Sequence, residues 1–171
     1  MVNKALLNTR LQLTLFIGPQ DSVPIEAIRK KFNPEQFVRI KSHVTLCRED
    51  ELGSVDSVVQ QLSALKHVPL SIQFGPPVRF AEGKGVLLLA IGNTPAFDQL
   101  RESILGIDRA ILRNQTPHIT LMHPRNSTCT DLIFKEILAI ELPGTIQFHK
   151  VSLIQQENNK EWITLLEFDL K

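Results

Sequence analysis

Tyrosine is absent from this 171-residue sequence, tryptophan occurs once and cysteine twice. Cys47 and Cys129 show no metal-ligand spacing, and two cysteines make no disulfide framework, so a reducing compartment is expected. No apolar run approaches the roughly 18 residues that a membrane helix requires. Met1 to Arg10 lacks the long apolar core of a signal peptide, so the chain reads as cytoplasmic, with no membrane partner. The net charge of +1 argues against a protein held on nucleic acid by bulk electrostatics, yet leaves room for a small anion at a local cluster of positive charge. No carboxylate cluster or His/Cys spacing suited to a metal is present, so neither metal nor cofactor is expected. Gly83-Lys84-Gly85 lacks the Walker pattern and reads as a hairpin turn.

What is present is an ordinary globular balance, 43% hydrophobic and 22% charged, in a length that suits one domain spanning residues 1–171. Leu11 to Ile17 alternates as a strand and stops at Gly18-Pro19. Asp21 or Ser22 caps a helix with Pro24 in its first turn and with Ile25, Ile28 and Phe32 at helical spacing, and Asn33-Pro34 breaks it. A short helical segment reaches Phe37, and Phe37 to Cys47 is extended. Val55, Val58, Val59, Leu62 and Leu65 mark an amphipathic helix ended by Pro69. Pro69 to Phe74 and Val78 to Phe80 read as two short strands, and Val86 to Ile91 as a strand buried on both faces. Further helices are predicted over Pro95–Leu105 and over 130–140, the latter with Leu132, Ile133, Ile137 and Leu138 inward. Thr116–Met122, Thr145–Gln155 and Trp162–Asp169 are strands, the last two joined by a turn over 157–160.

One pattern stands above this. Ser42-His43-Val44-Thr45-Leu46 recurs as Pro117-His118-Ile119-Thr120-Leu121, with the histidines 75 positions apart. With five His, ten Thr and 24 Leu, roughly 0.04 such matches are expected by chance. The repeat extends further. Ser71-Ile72-Gln73-Phe74 matches Thr145-Ile146-Gln147-Phe148, and Lys84 followed by Val86–Leu89 matches Lys160 followed by Trp162–Leu165. A duplicated unit of this size predicts an α+β fold of two pseudo-twofold-related lobes. Each lobe would be a mostly antiparallel sheet with helices packed outside, around a central cleft.

In a strand, His and Thr at i and i+2 share one face, and the aliphatic pair faces the other. A twofold axis would set His43 opposite His118 and Thr45 opposite Thr120. Two imidazoles with pKa values near 6.5 can act as one acid and one base at neutral pH, and two hydroxyls suit the oxygens of one phosphate. Those are the parts for in-line displacement at a phosphodiester. His67 and His149 read as structural or exposed, and Cys47 as a packing residue.

Two such motifs in a duplicated chain of this size resemble the 2H phosphoesterase superfamily, which includes bacterial RNA 2',3'-cyclic phosphodiesterases, also called 2'-5' RNA ligases. The resemblance implies metal-independent hydrolysis of 2',3'-cyclic phosphate ends of RNA or of small cyclic nucleotides. It implies His43 as the proton donor, His118 as the proton acceptor, and Thr45 and Thr120 as phosphate ligands. A 2'-5' oligonucleotide phosphodiesterase or ligase, or a non-catalytic nucleotide or RNA-end binding protein, are the alternatives. Arg48 and His123, each five residues after its histidine, and Arg125 are candidate substrate contacts. Phe16 and Phe80 are the rings to consider for stacking a base. A monomer is expected.

Overall fold

A computed structural model describes residues 8–171. The reading of Met1 to Arg10 falls mostly outside the described residues. Fourteen elements follow in chain order: β1 (Thr9–Phe16), α1 (Pro19–Phe32), α2 (Pro34–Arg39), β2 (His43–Cys47), a 3₁₀ turn (Glu49–Glu51), α3 (Val55–Ser63), β3 (Leu70–Phe80), β4 (Gly85–Ala90), α4 (Pro95–Leu105), β5 (His118–Met122), α5 (Asp131–Leu138), β6 (Thr145–Phe148), β7 (Lys150–Glu157) and β8 (Trp162–Asp169). All sheet pairings are antiparallel and follow the order β6-β3-β4-β5-β2-β1-β7-β8. The α+β class therefore stands. In place of a separate sheet for each lobe there is one eight-stranded sheet. Strands β6 and β7 lie far apart in that order yet are separated by His149 alone, so the sheet must curl on itself.

The register carries the duplication. Val44 pairs with Ile119, 75 positions later, and Ile72 pairs with Ile146, 74 positions later. In each case a residue sits opposite its own counterpart, as a twofold relation between the repeats requires. The third repeated segment behaves differently. Strand β4 is interior and mostly buried, whereas β8 is an edge strand, exposed over most of its length. The slot beside β2 that corresponds to β4 beside β5 is filled by β1, which pushes β8 outward to pair with β7 only.

Local differences have local causes. Helix α1 begins at Pro19 rather than after Asp21, because a proline at the first helical position gives up an N–H that would have no partner there. The same reasoning places α2 at Pro34, so the extended run begins at His43 and not at Phe37. The two short strands expected around Gly75-Pro76-Pro77 are one strand with a register shift between Phe74 and Pro77. Prolines, which donate nothing to a ladder, are tolerated at such a bulge. Strand Thr145–Gln155 is instead split at His149. Helix α5 buries Ile137 and half-buries Ile133 and Phe134 but leaves Leu132 and Leu138 exposed, since these lie five and one positions from Ile137 and residues three or four apart share its face. The turn over 157–160 is as expected, with Asn158 and Asn159 at φ of 50° and 59°, a conformation asparagine tolerates better than most residues.

The core lies on the aliphatic face of the sheet. Leu13, Leu15, Val44, Leu46, Ile119 and Leu121 are each 0% exposed and pack with Ile25 and Ile28 of α1 and with Phe97 and Leu100 of α4. Two buried arginines cross this layer. Arg101 of α4 donates to Leu46 O at 2.9 Å and to Arg113 O at 2.7 Å, and pairs with Glu51. Arg29 of α1 donates to Ile40 O at 2.7 Å and pairs with Glu26, whose other oxygen accepts the Ser42 N–H. Replacing Arg101 by leucine leaves a buried carboxylate and two carbonyls without their donor. A loss of about 3 kcal/mol is expected, read as a lower urea midpoint with an unchanged slope.

Candidate active site

The β1, β2 and β5 registers bring the polar faces of the repeat together. Thr14 stands opposite Thr45 and Phe16 opposite His43 across β1 and β2. On the other side Leu87 stands opposite Thr120 and Leu89 opposite His118. His43, Thr45, His118 and Thr120 line one cleft of about 180 Å³. Burial repeats as well: in both motifs the His and Thr are half-buried and the residues between and beyond them are buried.

Each imidazole is oriented by the main chain two residues before it, just ahead of its strand. His43 Nδ1 lies 2.8 Å from Lys41 O, and His118 Nδ1 lies 3.0 Å from Thr116 O. A carbonyl only accepts, so Nδ1 carries the proton and Nε2 of each ring is left for other partners. The two sites are nonetheless unequal. Burial pushes the His43 pKa down to about 4, and the charges of Arg29 and His118 act in the same direction, against the bond to Lys41 O and the charge of Glu26. Thr45 Oγ1 accepts from Gln12 Nε2 at 3.1 Å, and that amide also donates to Thr14 Oγ1 at 2.9 Å. With its oxygen so occupied, the Thr45 hydroxyl hydrogen is free to point elsewhere. The carbonyl of Thr45 is held by Gln115 Nε2 at 2.7 Å.

The cleft is cationic in composition. Arg10, Arg29, Arg39 and Arg125 line it, and the lining holds no Asp or Glu among the described residues. Arg10, Arg29 and Arg39 have carboxylate partners in Glu49, Glu26 and Glu35, whereas Arg125 makes no ion pair among the described residues. His123 and Arg125 reach the cleft because Asn33, buried between α1 and α2, fastens their loop. Its Oδ1 accepts the His123 N–H at 2.7 Å, and its amide donates to Asn126 at 2.7 Å. His123 Nδ1 accepts the Arg125 N–H, and burial, reinforced by Arg125, lowers its pKa.

Two expectations are corrected. Arg48 does not line the cleft: the chain turns away after Cys47, and the Arg48 main chain closes the 3₁₀ turn through Glu51. Phe80 does not line the cleft: its ring lies so close over Gly85 that a Cβ there would collide with it. Phe16 takes an intermediate place. It meets His43 edge-on, with centroids 6.2 Å apart, but lines an adjoining groove rather than the cleft. Cys47 is fully buried, and burial pushes its thiol up to about 12, in keeping with a packing role.

A family model for the 2'-5' RNA ligase superfamily matches residues 17–160. The chain belongs to this superfamily, the 2H phosphoesterases. Among solved structures the chain is similar in fold to Escherichia coli LigT in its apo form, with a TM-score of 0.64 at 16% identity over 95% of this chain and 98% of that one. A phosphoesterase structure gives 0.64 at 14% identity over 95% and 99%. TT0787 of Thermus thermophilus gives 0.54 at 15% identity over 94% and 97%. LigT is also among the similar structures as a complex with 3'-AMP, at 17% identity and a TM-score of 0.62 over 95% of this chain and 98% of that one. No curated protein matches the chain.

Within this 2H phosphoesterase the wall most easily missed from sequence is that of β1, β7 and β8. Arg10, Gln12, Gln156, Asn159 and Trp162 all line the cleft. Arg10 and Gln12 lie on the same face of β1 as Thr14, so strand alternation pointed to them once the polar face was known. Trp162 gave one signal, as the sole tryptophan, but nothing local ties β8 to β2. The low His43 pKa yields a test on stability. Between about pH 6.5 and pH 4 the unfolded chain holds a proton on His43 that the native chain does not, so stability rises with pH through that window and is lost as pH falls. Roughly 3 kcal/mol of urea stability should be lost between pH 6.5 and 4, over and above the change seen in His43→Gln.

Proposed function

We propose that this protein is a phosphodiesterase that opens 2',3'-cyclic phosphates at RNA ends or on small cyclic nucleotides by acid–base catalysis. The observation that carries this reading is the pair of His-x-Thr strands lining one cationic cleft, with both Nδ1 atoms tied to main-chain carbonyls and neither Nε2 atom hydrogen-bonded among the described residues. His118 Nε2 accepts a proton from water as the water oxygen bonds to phosphorus. The bond from phosphorus to one ribose oxygen breaks, and His43 Nε2–H protonates that oxygen. Thr45 and Thr120 donate to the non-bridging oxygens, with Thr45 poised by the Gln12 amide, and the arginines offset the phosphate charge.

His43 can serve as donor only if it is protonated, and its surroundings within the protein hold its pKa near 4. The anionic phosphate supplies the missing charge, so substrate binding and proton uptake are linked. Calorimetry of inorganic phosphate binding near pH 6, in buffers of different ionisation enthalpy, should show about one proton taken up per phosphate, in excess of the protonation of phosphate itself. No uptake assigns His43 the acceptor role instead. Because the same groups can run the reaction in reverse, joining and cleaving 2'-5' linkages is the second reading, favoured by the superfamily description itself.

The defining assay is turnover of a nucleoside 2',3'-cyclic phosphate in excess EDTA. His43→Ala and His118→Ala should each lose at least about 10²-fold in kcat while keeping the native circular dichroism. Retained turnover in both variants rejects the site, and chelator-sensitive turnover rejects the metal-independent mechanism. Tight binding without turnover by the unaltered chain identifies a sensor. The pH–rate profile should be bell-shaped, with limbs belonging to the pair.

A further inference from the structure

Gln115 stands three residues before His118 and does not line the cleft. It lines a separate cavity of about 490 Å³, together with Asn114 and Thr116. Its amide nevertheless reaches into the first motif, where Nε2 donates to Thr45 O at 2.7 Å. That bond crosses the seam between β2 and β5, whose ladder is registered only at Val44 and Ile119. The next residue serves the second motif, since Thr116 O lies 3.0 Å from His118 Nδ1. Gln115 and Thr116 therefore tie a group from each His-x-Thr strand to one short stretch of backbone.

The amide of Gln115 is only half satisfied. The residue is buried, and its Oε1 has no hydrogen-bond partner among the described residues. A buried oxygen left unpaired is unfavourable, and an apolar side chain of similar shape avoids it. What such a side chain cannot supply is the donor to Thr45 O. The duplication gives a contrast. The equivalent place in the first copy, 75 positions earlier, is Ile40, which is buried and has nothing to donate to Thr120. Thr45 is thus held twice by side chains, at its hydroxyl by Gln12 and at its carbonyl by Gln115.

We propose that Gln115 is a positioning residue for the proposed reaction, fixing where the Thr45 hydroxyl stands relative to His118. The inference rests on the proposed function and adds to it a residue outside the cleft that acts through Thr45. A hydroxyl that donates to developing charge works by its placement, so a small displacement costs more in the transition state than in the bound ground state. The effect is therefore expected in kcat rather than in KM.

Turnover of a nucleoside 2',3'-cyclic phosphate by the unaltered chain, Gln115→Leu, Thr45→Ala and the double variant tests this. Gln115→Leu should lose about tenfold in kcat with KM little changed. Its urea midpoint should stay near that of the unaltered chain, because removal of the unpaired oxygen offsets the lost bond. In the Thr45→Ala background the same substitution should lower kcat by less than about twofold, as expected of residues that act as a unit. Full kcat in folded Gln115→Leu overturns the positioning role and leaves the proposed function standing. A loss of about tenfold that persists without the Thr45 hydroxyl does the same. Should Gln115→Leu unfold, Gln115→Glu carries the test. Relative to the unaltered chain, its kcat should fall at about pH 8 and recover near about pH 5, where a buried carboxyl regains a proton to donate to Thr45 O. A ratio that stays constant with pH overturns the role in that case. If the unaltered chain turns over no cyclic phosphate, both readings fail.

Discussion

The seam between β2 and β5 is the constraint on which the rest of this molecule depends. It joins the two His-x-Thr strands through a short antiparallel contact centred on Val44 and Ile119. So short a ladder fixes little by itself, and the surrounding helices supply the remaining order. Arg101 reaches from α4 to the carbonyl of Leu46 in β2 and to that of Arg113 on the approach to β5. Glu26 of α1 accepts the N–H of Ser42, the residue before His43. Buried charges with several partners resist small displacements, because each lost bond exposes a group that water cannot reach. Side chains remote in sequence thus hold the backbone around the two His-x-Thr strands, while each ring is oriented by a carbonyl two residues before it.

Duplication gives the two halves of the cleft the same motif but not the same surroundings. The β1 side brings Phe16, Thr14 and Gln12 against His43 and Thr45, where the β4 side offers Leu89 and Leu87 against His118 and Thr120. One threonine is polarised by an amide and one histidine is pushed toward its neutral form, which is how a near-symmetric scaffold can assign different tasks to equivalent residues. The same asymmetry governs the rim. Arg10, Gln156 and Trp162 enter from the β1–β7–β8 side alone, so the two rims of the cleft differ in side chains as well as in register.

Much of this was legible in the residues, and the physical reasons are local. Period-two alternation fixes which face of a strand is polar whatever the strand pairs with, so His43 with Thr45 and His118 with Thr120 could be read as shared faces. The repeated Ile-Gln-Phe segments likewise identified β3 and β6, which proved to pair with each other. The errors fell where a local pattern is silent about its partners. Arg48 and His123 hold equivalent places in the repeat, yet one closes a 3₁₀ turn and the other is drawn to the cleft by Asn33. Phe80 lies against Gly85, and no spacing in the sequence announces that contact.

The sequence by itself determined the strands, the duplication and the four groups at its centre, because side-chain alternation and a repeated motif are properties of neighbours along the chain. Only the tertiary structure decided that one continuous sheet replaces two, that β1 takes the slot denied to β8, that burial holds His43 near pKa 4, and that Trp162 stands at the edge of the cleft. Each of these depends on which distant segments meet, and so on desolvation and register across the sheet.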